Sequence, residues 1–123
     1  MEKNTVLYVE DNEINAKIME HYFNAKTQLN LKIAATGREA LDILKQSKSL
    51  RAILMDLYLP DMSGFDLIKQ IRADENFKLT PVVAVTAESV DRQKFLDAGF
   101  NDAMEKPLNF DYLKELIIEW ESQ

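Results

Sequence analysis

The chain contains no cysteine, which removes disulfides, thiolate metal sites and cysteine nucleophiles from consideration. It has three glycines and three prolines in 123 residues, with no Pro/Gly/Ser-rich linker, low-complexity stretch or internal repeat. The expectation is a single domain over residues 1–123. No apolar run approaches the ~20 residues of a membrane span. The residues Met1-Glu2-Lys3-Asn4 lead straight into a strand-like segment, so no signal peptide is expected and the reading is cytoplasmic. Excess positive charge is also lacking. The net charge is −6, and lysines and arginines are interleaved with acids, which argues against nucleic acid as a partner. Histidine occurs once, at His21, mid-helix in the periodicity, where a surface or packing imidazole is the ordinary explanation.

What is present is a globular mix, 46% apolar and 29% charged, arranged as short apolar runs alternating with longer amphipathic ones. Thr5 to Val9, Leu31 to Ala34, Ala52 to Met55, Pro81 to Val85 and Asp102 to Glu105 read as strands. Helices are expected after Asn12, from Gly37 towards Lys45, around Phe65, Ile68 and Ile71, from Ser89 to Ala98, and from Phe110 to Trp120. In the first helix, most of Ile14, Ile18, Met19, Tyr22 and Phe23 are expected in the core, with one end left to dock a partner. Continuous apolarity in the strands suits a parallel sheet covered on both faces. The predicted fold is α/β and flavodoxin-like: a three-layer sandwich with a five-stranded parallel sheet of order 2-1-3-4-5 and five helices.

In that order, ligands sit at the carboxyl ends of the strands. The first strand ends in Glu10-Asp11, the third in Asp56, the fourth in Thr86 and the fifth in Lys106-Pro107. Taken singly, these have plainer explanations: helix-start acids, a turn aspartate, a strand threonine, a surface lysine. Together they place carboxylates that repel one another unless a cation neutralises them. A hard divalent ion with oxygen ligands fits, magnesium best of all, with manganese as the alternative. A nucleophilic oxygen, a metal and a cationic clamp are the parts of phosphoryl transfer.

Four segments carry a resemblance along nearly the whole chain: Val9-Glu10-Asp11-Asn12, Leu54 to Gly64 around Asp56, Val85-Thr86-Ala87 and Glu105-Lys106-Pro107. The chain resembles the receiver domain of two-component response regulators. That resemblance implies that Asp56 accepts a phosphoryl group from a histidine kinase or histidine phosphotransfer protein and that the change is passed to a downstream protein partner. It further implies that Glu10, Asp11 and Asp56, with the Tyr58 backbone carbonyl, hold Mg2+. Lys106, Thr86 and the Ala87 N–H would bind the phosphoryl oxygens, and a cis Lys106–Pro107 bond would aim the lysine. Tyr58 and Glu88 would set the dephosphorylation rate. No activity on external substrates is implied, only self-phosphorylation and autodephosphorylation.

Receivers often carry an aromatic three residues before the site lysine; here that position is Ala103. The switch is therefore expected to run mainly through Thr86 and the following loop. Trp120, the only tryptophan, is expected to respond little to Mg2+ alone, because Leu57 rather than a tryptophan follows Asp56. The chain stops after the fifth helix, as in a stand-alone regulator or a receiver cut from a hybrid kinase. Two other readings compete. A pseudo-receiver adaptor would bind partners without phosphorylation, yet every site position holds a competent residue. An aspartyl phosphatase would need a second aspartate two residues after Asp56, where Tyr58 stands.

Overall fold

A computed structural model describes the backbone of residues 4–121 and the side chains through Glu119. The order of elements is β1 (Thr5–Val9), α1 (Glu13–Lys26), β2 (Asn30–Ala34), α2 (Gly37–Gln46), β3 (Ala52–Asp56), α3 (Gly64–Ala73), β4 (Val82–Thr86), α4 (Arg92–Ala98), β5 (Asp102–Glu105) and α5 (Phe110–Glu121). The strands form one parallel sheet of order β2-β1-β3-β4-β5. The five-stranded sandwich expected from the sequence is the fold.

The central strands β1, β3 and β4 are buried at every position, which explains their unbroken apolarity. Edge strand β2 alternates exposed and covered residues instead. Because strand side chains alternate between faces, each strand feeds two cores. Leu7, Val9, Ile53, Met55, Val82 and Ala84 pack with Ala40 and Leu44 of α2, Leu67 and Ile71 of α3, and Phe95 of α4. Val6, Tyr8, Leu54, Val83 and Met104 pack on the other face with Met19 and Phe23 of α1 and Leu113 and Ile117 of α5. Truncating a fully buried residue such as Leu54 to alanine is expected to cost about 2–5 kcal/mol.

Side-chain caps fix where the helices begin, and with them the loops that carry the site. Asn12, Thr36, Ser63 and Asp91 each accept the backbone N–H three residues on. Each such cap contributes about 1 kcal/mol. Gly99 ends α4 with φ 112°, a left-handed position that favours glycine.

Three expectations need correction. Helix α4 begins at Arg92 rather than Ser89, because the cap is Asp91 and residues 87–91 remain loop. Strand β4 begins at Val82; Pro81 contributes its carbonyl to Ile53 N–H at 2.9 Å but has no N–H for the ladder. On α1, Met19 and Phe23 are buried, whereas Ile14 and Ile18 are 70% and 50% exposed. Helix α5 covers its expected span, and the Trp120 side chain lies outside the described residues.

Candidate functional site

Strand β1 ends at Val9, so Glu10 leaves the sheet beside the carboxyl end of β3, where Asp56 is the last strand residue. Asn12 caps α1 immediately afterwards, which places Asp11 at the turn into the helix. Glu10, Asp11 and Asp56 each offer a carboxylate oxygen, all within 4.8 Å of one another. Glu10 and Asp56 are buried and Asp11 is exposed, so the cluster opens to solvent on one side.

Lys106 follows β5 and reaches across the strand ends. Its Nζ lies 2.9 Å from Glu10 Oε1 and 3.1 Å from Asp56 Oδ2. The Lys106–Pro107 peptide is cis, and the Lys106 N–H donates to the Thr86 carbonyl at 2.8 Å. The Tyr58 N–H donates to Asp56 Oδ1 at 3.1 Å, so each Asp56 oxygen has a donor.

The charges are unevenly stabilised. Burial raises the Asp56 pKa, and the neighbouring Glu10 carboxylate adds to that, against the opposing bonds from Tyr58 N–H and Lys106. Burial also pushes Glu10 upwards, but the bond from Lys106 and further hydrogen bonding more than offset it, so Glu10 lies below the usual carboxylate range. Burial would lower Lys106, yet its bonds to Glu10 and Asp56 outweigh that and hold it above the usual lysine value. One ammonium is shared between two buried carboxylates, so the site is short of positive charge.

Thr86 ends β4 and is fully buried, its Oγ1 accepting the Glu88 N–H at 3.1 Å. Ala87 is exposed at the start of the loop. Over the mouth, the exposed Tyr58 hydroxyl donates to Glu88 Oε1 at 2.8 Å. Ala103 is buried against the cluster that contains Phe95 and Phe100, and it has no ring to swing inwards. On that side Arg92 pairs with the buried Asp102 at 2.6 Å, and Tyr112 OH donates to the same carboxylate at 3.2 Å.

The site residues Glu10, Asp11, Asp56, Tyr58, Thr86, Ala87, Lys106 and Pro107 thus lie at or just after the carboxyl ends of the strands. Two neighbours had not been singled out. Tyr8 OH donates to Glu10 Oε1 at 3.0 Å, and Asn15 Nδ2 does so at 3.3 Å. Period-two alternation puts Tyr8 on the same sheet face as Glu10, which is the signal that would have found it.

An α/β sandwich with acids at the ends of its first and third strands and a lysine after its fifth defines a signalling receiver. The response regulator receiver domain model matches residues 6–118, and the chain belongs to that family. The response regulator mcs4 of Schizosaccharomyces pombe is 37% identical across 94% of this chain and 27% of that protein. The receiver domain of a sensor histidine kinase from Pseudomonas aeruginosa, with magnesium in its active-site cleft, superposes with a TM-score of 0.85 at 30% identity, covering 97% of this chain and 98% of that one. The Ssk1 receiver of Saccharomyces cerevisiae, crystallised with the histidine phosphotransfer protein Ypd1, gives 0.83 at 38% identity, covering 94% and 87%. The chain spans about a quarter or less of the curated relatives it matches. Among the described residues no helix is long and apolar enough to cross a membrane.

Proposed function

We propose that this chain is a phosphoaspartate switch of a two-component phosphorelay: Asp56 accepts a phosphoryl group from a histidine kinase or histidine phosphotransfer protein, and the modified surface binds a downstream protein. The observation that carries this reading is the meeting of Glu10, Asp11 and Asp56 within 4.8 Å, with Lys106 Nζ bridging two of them. The donor set is all oxygen and short of positive charge, so it fits a hard divalent cation, Mg2+ before Mn2+. Glu10, Asp11 and Asp56 would hold it, with the Tyr58 carbonyl as a further ligand. Bound there, the ion neutralises the carboxylates and the charge of the incoming phosphoryl group.

Asp56 supplies the electron pair. One of its oxygens forms the new O–P bond as the P–N bond to the donor imidazole breaks, and the nitrogen keeps the pair of the broken bond. Lys106 transfers its hydrogen bond from Asp56 to a phosphoryl oxygen. The Thr86 hydroxyl turns from Glu88 N–H towards another, and the Ala87 N–H joins it. Tyr58 and Glu88, linked over the mouth, govern the approach of hydrolytic water. No turnover of external substrates is part of this reading. A cytoplasmic setting is part of it, in keeping with the cysteine-free composition.

Incubation with acetyl phosphate and Mg2+ should add one phosphoryl group by intact mass, labile in alkali as an acyl phosphate is. Asp56→Asn should abolish it. Full labelling of that variant would overturn the assignment, and an unlabelled wild type would favour an adaptor that binds without phosphorylation.

A further inference from the structure

Glu10 is held asymmetrically. Its Oε1 accepts Lys106 Nζ at 2.9 Å, Tyr8 OH at 3.0 Å and Asn15 Nδ2 at 3.3 Å. Its Oε2 accepts only the Asn12 N–H among the described hydrogen bonds, at 3.3 Å. An ionised carboxylate offers about four lone-pair sites, two on each oxygen. Oε1 therefore has one donor too many, and Oε2 has one lone pair to spare.

We infer that Tyr8 and Asn15 form a cradle that positions Glu10 for the cation and frees Lys106 for the phosphoryl group. The inference rests on the proposed reading of Glu10 as part of the Mg2+ site. When Lys106 turns to a phosphoryl oxygen, Tyr8 and Asn15 together still fill the two lone pairs of Oε1. No buried charge is then left bare, which would otherwise oppose the move. The Tyr8 ring is 1% exposed and packs in the core with Met19 and Leu54, so its hydroxyl is fixed in place. With Oε1 so occupied, Oε2 is the oxygen left to serve the cation. Tyr8 and Asn15 are positioning residues; they act through Glu10 and do not touch the phosphoryl group.

Thermal unfolding of the whole chain against MgCl2 concentration tests this, since a bound ion stabilises the folded state by mass action. Relative to wild type, Tyr8→Phe should raise the Mg2+ midpoint about tenfold, as expected when a ligand loses its supporting hydrogen bond. Asn15→Ala should move it the same way by less, and the double variant should approach Glu10→Gln. A tyrosine that only satisfies its own hydroxyl would lower the metal-free Tm and leave the midpoint alone. Unmoved midpoints in Tyr8→Phe and Asn15→Ala beside a shifted Glu10→Gln would overturn the cradle and leave the metal site standing. A wild type with no Mg2+ response would overturn the metal site and the cradle with it. If Tyr8→Phe fails to fold, Asn15→Ala decides by the same criterion.

Discussion

Two loops flank Asp56, and they are built differently. The loop of residues 57–63 between β3 and α3 is anchored to backbone. Asp61 accepts the N–H groups of Gly37 and Arg38 at 2.8 and 2.9 Å, closing the start of α2 from 24 and 23 residues away. Gly64 N–H returns to the Leu57 carbonyl at 2.7 Å, and Tyr58 bridges Ser63. Leu57 is buried, and Leu59 and Met62 pack on the core. The loop of residues 87–91 between β4 and α4 has Ala87, Glu88 and Ser89 exposed. The described ties of residues 88–90 run through side chains: Glu88 N–H to Thr86 Oγ1, Val90 N–H to Glu105 Oε1 at 3.0 Å, and Tyr58 OH to Glu88; Val90 packs at the edge of the core, and Asp91 caps α4. Side-chain partners in an exposed loop exchange more easily than contacts in a packed core, and residues 87–89 have only the former among their described ties. One loop therefore holds Asp56 still, and in the proposed switch the other is free to register what happens to it.

The anchored loop is most easily disrupted at Gly64. A Cβ there would meet Leu57 Cα at 3.0 Å and the Asp56 carbonyl oxygen at 3.1 Å, backbone atoms that would have to give by a few tenths of an ångström. Gly64→Ala should cost about 1–3 kcal/mol in denaturant unfolding and slow phosphorylation, by analogy with overpacking. Ser89→Ala, in the exposed loop, should stay within about 0.5 kcal/mol of wild type.

Asp61→Ala should come next, lowering Tm by several degrees at neutral pH. The Gly37 N–H, and then the Arg38 N–H, hold the Asp61 pKa below the usual carboxylate value. A depressed acid stabilises the fold above its unfolded pKa and loses that contribution as pH falls through the folded one. The gap between wild type and variant should accordingly close in acid; a gap that persists there would argue against the cap.

A smaller and opposite effect is expected at Asp56. Burial, with Glu10 adding to it, raises the Asp56 pKa, so the ionised form works against folding once the pH is above the carboxylate range. Without metal, Asp56→Asn should melt a few degrees higher than wild type at neutral pH, and the advantage should vanish as acid protonates Asp56. Smallest in stability is Glu105→Ala, which releases Val90 N–H. It should change global stability by under about 0.5 kcal/mol while speeding amide exchange at residues 87–91.

Much of this was legible in the sequence, for identifiable reasons. Strands such as Ile53-Leu54-Met55 are apolar throughout because both faces are covered, so their positions and the polar groups at their ends could be read directly. Glu10, Asp56, Thr86 and Lys106 needed only the sheet order to be brought together. The phase of α1 was not legible. Ile14, Ile18, Met19, Tyr22 and Phe23 spread over more than one stripe, and only packing against β1 and α5 shows that Met19 and Phe23 face inwards. The start of α4 was hidden because Ser89 and Asp91 are both good caps, and the one that accepts Lys94 N–H wins. The Asp61 tie to α2 leaves no local trace. Neither does the Arg72 side chain, whose guanidinium donates to the carbonyls of Gly99, Phe77, Lys78 and Thr80 and to Asn101 Oδ1.

The most direct test is amide hydrogen exchange on the whole chain, comparing Mg2+ alone with Mg2+ and beryllofluoride, a mimic of the Asp56 phosphoryl group. Residues 87–91 should gain protection as Thr86 and the Ala87 N–H close on the mimic, while residues 57–63 stay as protected as before. Thr86→Ala should lose most of that gain. Equal changes in both loops, or no change in either, would contradict the account of a phosphoaspartate switch read through the β4–α4 loop.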